Sequence, residues 1–260
     1  MALLDPAIRR SMPWHTRLAG VATLLIVSVP VGALQLSSTP SAPSTRDALV
    51  ARALAGNLID LAGDGEIGGI TAMLDAGADV NTTVSGDGSP LIAAAGDGHL
   101  EAVELLLDRG ANINLAVQGD GSALIAAAGD GYLDVVRLLL DRGADVNQAV
   151  EGDGTALIAA AGEGYAAIVQ LLLDRGADIN QIVEGDENAL ITASADGHLD
   201  VVKLLVSRGA DVHARILVDV FTYDSGVRYV GQEWRSALSV ARKKNHTAVV
   251  QFLQSVGARE

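Results

Sequence analysis

The 260-residue sequence contains no cysteine and few aromatic residues. The absence of cysteine excludes disulfide bonds and thiolate metal sites, although it does not indicate a cellular compartment. Aromatic residues make up only 3% of a chain that is 49% hydrophobic, so its core has to be packed mainly by Ala and Leu. The chain also lacks the His-Glu-x-x-His and Gly-x-Ser-x-Gly motifs, and these absences argue against a hydrolase.

Basic residues are scarce, and they are unevenly distributed around a net charge of −14. Residues 60–200 hold 25 acidic and 4 basic residues, a balance of −21, whereas residues 201–260 hold 5 and 9, a balance of +4. An acidic body repels nucleic-acid phosphates, so nucleic-acid binding is not expected. The same charge complements a basic surface, which predicts a basic protein partner.

One segment of the sequence occurs four times with a fixed period. The copies are Ser89–Asn114, Ser122–Asn147, Thr155–Asn180 and, more loosely, Asn188–His213. Leu91 and its three equivalents are each 33 residues apart. A constant period of this length indicates an array of stacked repeats.

Each copy has the pattern of two short helices. Ser89 and its equivalents can cap the start of the first helix, and Pro90 suits a first helical position. Gly98 turns the chain, and the second helix carries an apolar stripe. Arg109, in its last turn, suits the negative end of the helix dipole, and Gly110 ends the helix. One such pair cannot bury its own stripe, so the repeats must stack.

These residues resemble the ankyrin repeat in period and in motif. Ser89-Pro90-Leu91 stands where that family has Thr-Pro-Leu-His, and Gly98-His99 and Gly110–Asn114 match its inter-helix turn and helix exit. The resemblance implies an all-α ankyrin-repeat solenoid with projecting β-turn fingers. It also implies a role in binding proteins rather than in catalysis, with no cofactor. The chain departs from the family at Ile92 and its equivalents, which replace the family's His, so we expect an apolar seam there.

The sequence divides into four regions. Residues 1–17 form a short basic lead, 18–34 an uncharged apolar segment, 35–46 a Ser/Pro-rich linker, and 47–260 the ankyrin-repeat domain with six repeats. The sixth repeat is displaced by 15 residues, with its helices predicted at Leu238–Lys244 and Ala248–Val256. The insertion, about 214–235, alternates apolar and polar residues around a turn, which predicts a β-hairpin.

The apolar segment 18–34 has two interpretations. It is either a membrane anchor, with the repeat domain on the extracytoplasmic side, or a signal peptide that is cleaved after Val31-Gly32-Ala33, which leaves a secreted or periplasmic protein. Ala2–Pro6, Arg9-Arg10 and this segment faintly resemble the last membrane helix of beta-lactam-sensor-type membrane metallopeptidases. That resemblance implies an alternative function, a sensory or regulatory tail that acts with such a signalling system.

The first candidate binding site is a row of acidic residues in the predicted fingers: Asp87, Asp120, Asp153 and Asp186. Stacked helices lie about 8–10 Å apart, so these charges form a continuous negative field that could attract a basic partner. The alternative is that Asp simply suits glycine-rich turns and keeps the protein soluble. One Asp per repeat cannot supply the roughly 6–8 oxygens that calcium requires, so no metal site is expected.

The second candidate site is the hairpin itself, which holds half of the eight aromatic residues: Phe221, Tyr223, Tyr229 and Trp234. Aromatic side chains concentrate at binding hot spots, so the hairpin could contact a partner. Alternatively, its rings fold back over the apolar seam of the last repeat. His99 and His198 share a turn position with Tyr132 and Tyr165, which indicates packing rather than metal binding.

Overall fold

The computed structural model describes residues 57–183, 187–222 and 228–259. Twelve helices lie in these ranges and form six consecutive pairs. In chain order they are α1 at 57–63, α2 Ile67–Asp75, α3 Pro90–Gly96, α4 Leu100–Asp108, α5 Ala123–Gly129, α6 Leu133–Asp141, α7 Ala156–Gly162, α8 Ala166–Asp174, α9 Ala189–Asp196, α10 Leu199–Ser207, α11 Ala237–Lys243 and α12 Thr247–Ser255.

The first helix of each regular pair begins at the predicted cap. The Ser89 hydroxyl accepts a hydrogen bond from the Ile92 backbone N–H at 3.2 Å, and the equivalents of Ser89 do the same. Pro90 is the first residue of α3, where its missing N–H leaves no unsatisfied group. Small residues follow, and all seven residues of α5 are buried, which lets neighbouring first helices pack closely.

The second helix of each pair buries one stripe and ends at a glycine. In α4 the buried residues are Ala102, Val103 and Leu106. Gly110, at φ 90°, then reverses the chain, and the Ala111 N–H donates to the Leu106 carbonyl at 2.9 Å. This bond satisfies a carbonyl that the helix end would otherwise leave open.

The pairs stack in single file. Helix α3 packs on α5, α5 on α7, α7 on α9 and α9 on α11, while the second helices follow in parallel behind them. The core is continuous from Leu58 to Leu253. The expected apolar seam is confirmed, because Ile92, Ile125, Ile158 and Ile191 are all buried. The predicted all-α solenoid is therefore confirmed for the repeat array.

Short β-turn fingers connect one pair to the next. In the second connection β1 (Ala116–Val117) pairs with β2 (Gly121–Ser122), and equivalent bridges join Val84 to Gly88 and Val150 to Gly154. The fifth and last connection is much longer: β3 (Arg215–Thr222) pairs antiparallel with β4 (Arg228–Ser236). The predicted hairpin in the insertion is thus confirmed.

The predictions for the N-terminal regions lie outside the described residues. Residues 1–17, 18–34 and 35–46 all fall there, so the anchor and signal-peptide interpretations stay predictions. Among the helices α1–α12 none combines the length and the apolar character that crossing a bilayer requires.

Candidate protein-binding surface

The acidic residues of the fingers bind the backbone of the preceding finger. The Gly86 N–H donates to Asp120 Oδ2 at 3.1 Å, and the Gly119 N–H donates to Asp153 Oδ2 at 2.8 Å. These bonds hold neighbouring fingers in register and fix the carboxylates at regular intervals. Of the other two predicted residues, Asp87 lies in the first described finger, and Asp186 lies outside the described residues.

Two further sets of contacts cross from each repeat to the next. In the first set an Asn side-chain oxygen accepts from a backbone N–H 31 residues later. These pairs are Asn81 with Asn112, Asn114 with Asp145, Asn147 with Asp178 and Asn180 with Asp211. In the second set an Arg at a helix end pairs with an Asp of the preceding repeat. These pairs are Arg109 with Asp75, Arg142 with Asp108, Arg175 with Asp141 and Arg208 with Asp174.

The sequence interpretation missed both sets. It placed Arg109 in the last turn of α4, where its positive charge suits the negative end of the helix dipole. In the structure Arg109 lies one residue after α4, and its guanidinium is 2.9 Å from the Asp75 carboxylate. The constant separation of 34 residues between each Arg and its Asp was visible in the sequence and could have indicated the pairing. Together the contacts fix each repeat against its neighbours, so a surface that spans several repeats keeps its shape.

Ring side chains form a row along the inter-helix turns. Each ring lies on a glycine of the preceding repeat's turn, and the five ring residues are His99, Tyr132, Tyr165, His198 and His246. Partial desolvation raises the pKa of Tyr132, and the neighbouring carboxylates of Asp130 and Asp97 raise it further. The prediction that His99 and His198 serve packing is confirmed. Across the described ranges, no group of three His, Asp or Glu side chains is placed to hold a metal ion.

The hairpin presents one face to solvent. In β3 the exposed residues Arg215 and Leu217 alternate with the half-buried Ile216 and Val218. Leu217 lies directly opposite Trp234 in the register, and these side chains are 43% and 57% exposed. The Arg215 guanidinium lies 5.6 Å from the centre of the Trp234 ring, a cation–π contact that orients the indole.

A register shift brings a second ring to this exposed side. The pairing of β3 and β4 is irregular between Val220 and Phe221, so Tyr229 lies opposite Phe221. Without the shift, strict alternation from the exposed Gln232 and Trp234 would turn Tyr229 to the other face. Tyr229 is 54% exposed. Tyr223, the fourth aromatic residue predicted for this site, lies outside the described residues.

Charged side chains attach the opposite face of the hairpin to the repeats. Arg235 lies 2.8 Å from Glu187 of the fifth repeat and 2.7 Å from Glu233 of its own strand. Lys243 of α11 lies 2.9 Å from the same Glu233. These donors lower the pKa of Glu233, Lys243 most strongly and then Arg235. Ile216 adds an apolar contact with the core, so the hairpin has one attached and one exposed face.

The hairpin takes the place of the fifth finger. Ser236 caps α11 as Ser89 caps α3, through its hydroxyl, which accepts from the backbone three residues later. Counting back from that cap, Trp234 stands where other fingers have Asp120 or Asp153, and Arg235 stands where they have a glycine. The aspartate row therefore gives way to an exposed tryptophan at the C-terminal end of the array.

Comparison with known proteins assigns the fold to a family. A family described as ankyrin repeats (3 copies) matches residues 58–150 and 149–216. The match covers five of the six helix pairs and ends at the first residues of the hairpin. A search of curated proteins found no match. That match covers most of the chain, and the 33-residue period and the single-file stack of helix pairs agree with it. The chain therefore belongs to the ankyrin-repeat family.

Proposed function

We propose that this chain is a non-catalytic interaction module that binds a basic protein partner along its fingers. Ankyrin repeats indicate protein–protein interaction, so the family accounts for the general role. The partner's basic character is inferred from the charge of the array, −21 over residues 60–200. The finger aspartates carry this inference, because Asp120 and Asp153 are held at repeat intervals by the bonds from Gly86 and Gly119.

A rigid row of carboxylates suits a partner whose basic groups are also spaced along a surface. Complementary charge accelerates association and selects partners more than it adds affinity. Binding through the row should therefore weaken as salt is added, since exposed charges are screened over about 10 Å at 0.1 M salt.

The test neutralises the fingers without removing their oxygen acceptors. The variant carries Asp87→Asn, Asp120→Asn, Asp153→Asn and Asp186→Asn in the full chain. Partners are first captured in source cells by a photo-crosslinking amino acid placed at residue 85, and association with the captured protein is then measured at several salt concentrations. We expect the variant to bind more weakly and to lose much of its salt dependence.

The control removes the same amount of charge from the second helices. It carries Glu101→Gln, Glu104→Gln, Asp134→Asn and Asp200→Asn, all exposed and away from the fingers. If both variants weaken binding equally, the net charge and not the finger row attracts the partner. Full binding by the finger variant at every salt concentration would contradict the proposal, as would the absence of any crosslinked protein.

We also propose that residues 18–34 anchor the module in a membrane with the repeats on the extracytoplasmic side. This proposal rests on the 17 uncharged residues and on the basic lead that precedes them. Fractionation of a C-terminally tagged chain, with the mass of its N-terminus, distinguishes the alternatives. A membrane fraction of full mass supports the anchor, whereas a soluble exported chain that begins near Leu34 supports the cleaved signal peptide.

A further inference from the structure

We propose that the exposed face of the hairpin is a docking surface for an extended, basic segment of the partner protein. The surface consists of Arg215, Leu217, Tyr229 and Trp234, and we call it the hairpin face. The proposal rests on the proposed function and adds a location and a ligand shape to it. It differs from the finger row in chemistry, because the contact here is mainly apolar and aromatic.

The attachment of the hairpin indicates that its exposed face is available to a binding partner. A hairpin that served only to cover the last repeat would turn its rings towards the core. Here the residues that contact the repeats are Ile216, Glu233 and Arg235, while Trp234 and Leu217 lie on the other side. An isolated two-stranded hairpin is only marginally stable in water, so the ion pairs at its base supply the fixed position that binding needs.

The exposed rings are held in place before any partner arrives. Arg215 stacks on Trp234, and Leu217 packs beside it across the strands. The register shift at Val220 adds Tyr229 to the same side. Tryptophan, tyrosine and arginine are the residue types that dominate binding energy at interfaces. A preformed cluster of this kind avoids part of the entropic cost of ordering side chains on association.

The shape of the surface favours an extended segment. The strands of 8 and 9 residues form a ribbon about 26 Å long, at roughly 3.3 Å per residue, and only two strands wide. Among the described residues neither β3 nor β4 pairs with a third strand. An extended chain can therefore lie along the ribbon and also reach backbone groups at an open edge.

Charge indicates the composition of that segment. The hairpin follows directly after the acidic part of the array, and Trp234 continues the line of finger aspartates. A segment whose apolar residues cover Leu217 and Trp234 would continue onto the finger row, where Lys or Arg residues of that continuation would face the carboxylates of Asp120 and Asp153. A lipid surface is the competing ligand, because tryptophan and arginine also suit membrane interfaces.

The experiment uses the full chain in phosphatidylcholine nanodiscs with Trp14→Phe, which leaves Trp234 as the sole indole. The probe is a dye-labelled peptide with a Lys-rich half followed by a half of Val or Leu alternating with Ser, read by anisotropy and by Trp234 emission. Peptides with Glu replacing Lys, or Ser replacing the apolar residues, serve as comparisons. We expect saturable binding of the first peptide only, with a blue shift of Trp234 emission.

The deciding variant combines Leu217→Thr and Trp234→Thr, which keeps strand-forming residues but removes the apolar face. We expect the peptide's affinity to fall about tenfold or more, as for a hot spot. The control, Leu100→Thr with Tyr132→Thr, removes similar exposed surface from the turns and should leave binding unchanged. Circular dichroism and thermal unfolding of both variants show whether the repeat array is intact.

Three outcomes would overturn the proposal: no binding of the peptide, equal binding by the hairpin variant, or a blue shift without peptide when phosphatidylglycerol is added to the nanodiscs. The last outcome assigns the face to lipid. If the four finger substitutions abolish peptide binding and the hairpin substitutions do not, docking on the hairpin is wrong while the proposed function stands. The absence of a crosslinked partner in cells contradicts the proposed function whatever the peptide does.

Discussion

Arg235 of the hairpin and Glu187 of the fifth repeat form an ion pair, with Arg235 Nη1 2.8 Å from Glu187 Oε1. Both residues directly precede a helix cap, Ser236 and Asn188, at a position where the regular fingers have glycine. The two residues that stand in place of the finger glycine, Glu187 and Arg235, therefore contact each other. The contact lies at the base of the long hairpin. The Glu187 side chain is only 12% exposed, so the Arg235 guanidinium replaces much of the hydration that the carboxylate loses.

This pair predicts a measurable coupling between the hairpin and the repeats. Glu187→Gln should lower the free energy of unfolding by about 1.5 kcal/mol, because a hydrogen bond between charged groups is lost at a half-buried site. Arg235→Gln should cost a similar amount, and the double variant should cost clearly less than the sum. Urea unfolding of the four proteins gives the coupling energy. Strictly additive losses would show that the pair contributes nothing.

The pKa of Glu233 predicts how the hairpin responds to acid. Lys243 and then Arg235 hold this pKa below its ordinary value, so the carboxylate stabilises the fold above the unfolded pKa and loses that effect as pH falls through the folded pKa. Wild type should therefore be more stable than Glu233→Gln at pH 7, and the difference should disappear in the acidic range below the usual pKa of Glu. Thermal unfolding at pH 7, 5 and 3 tests this. A difference as large at pH 3 as at pH 7 would contradict it.

Asp60, at the N-terminal end of the described array, should show the opposite pH dependence. Partial desolvation raises its pKa, and the carboxylates of Asp87 and Asp64 add to the shift. A raised carboxyl pKa gives stability that is present below the unfolded pKa and is lost as pH rises through the folded pKa. Asp60→Asn should therefore unfold at a higher temperature than wild type at pH 7 but not at pH 3. A destabilised variant at pH 7 would show that the carboxylate has a stabilising partner.

The features that the sequence predicted are those that depend on nearby residues. Ser89 caps α3 through an N–H three residues away, and Gly110 ends α4 within its own turn. The helices of the sixth repeat begin one residue earlier than predicted, at Ala237 and Thr247. The cap residue Ser236 and the turn residue His246 determine these starts, whereas the prediction had relied on the apolar pattern.

The features that the sequence did not predict depend on contacts between repeats. Arg142 has a plausible local role at the end of α6, and only the stacked structure shows Asp108 2.9 Å away. The exposure of Tyr229 likewise depends on a register shift that no alternation pattern contains. Sequence therefore identified the hairpin as a candidate site, but which of its faces is available required the packing of β4 against α11.

Ser194 interrupts the apolar first helices and offers a stabilising substitution. Its hydroxyl is fully buried and has no hydrogen-bond partner among the described residues, whereas the equivalent residues in the other regular repeats are Ala95, Ala128 and Ala161. Ser194→Ala should raise the free energy of unfolding by about 1 kcal/mol, since an unsatisfied buried hydroxyl is removed. The reciprocal Ala161→Ser should lower it by a comparable amount. A Ser194→Ala protein no more stable than wild type in urea would indicate a bound water at this hydroxyl.

The row of rings on the turns predicts unequal costs for two glycine substitutions with the same backbone conformation. Gly131 and Gly143 have φ of 87° and 92°, so alanine is strained at both, by roughly 1 kcal/mol. A Cβ on Gly143 meets open space, whereas on Gly131 it would lie 2.7 Å from the Tyr165 ring. Gly131→Ala should therefore cost about 1 kcal/mol more than Gly143→Ala, as expected for an overpacked contact. In a Tyr165→Ala background that excess should vanish. Equal costs in the wild-type background would mean that Tyr165, partly exposed, moves aside freely, and the ring would then contribute little to holding the repeats together.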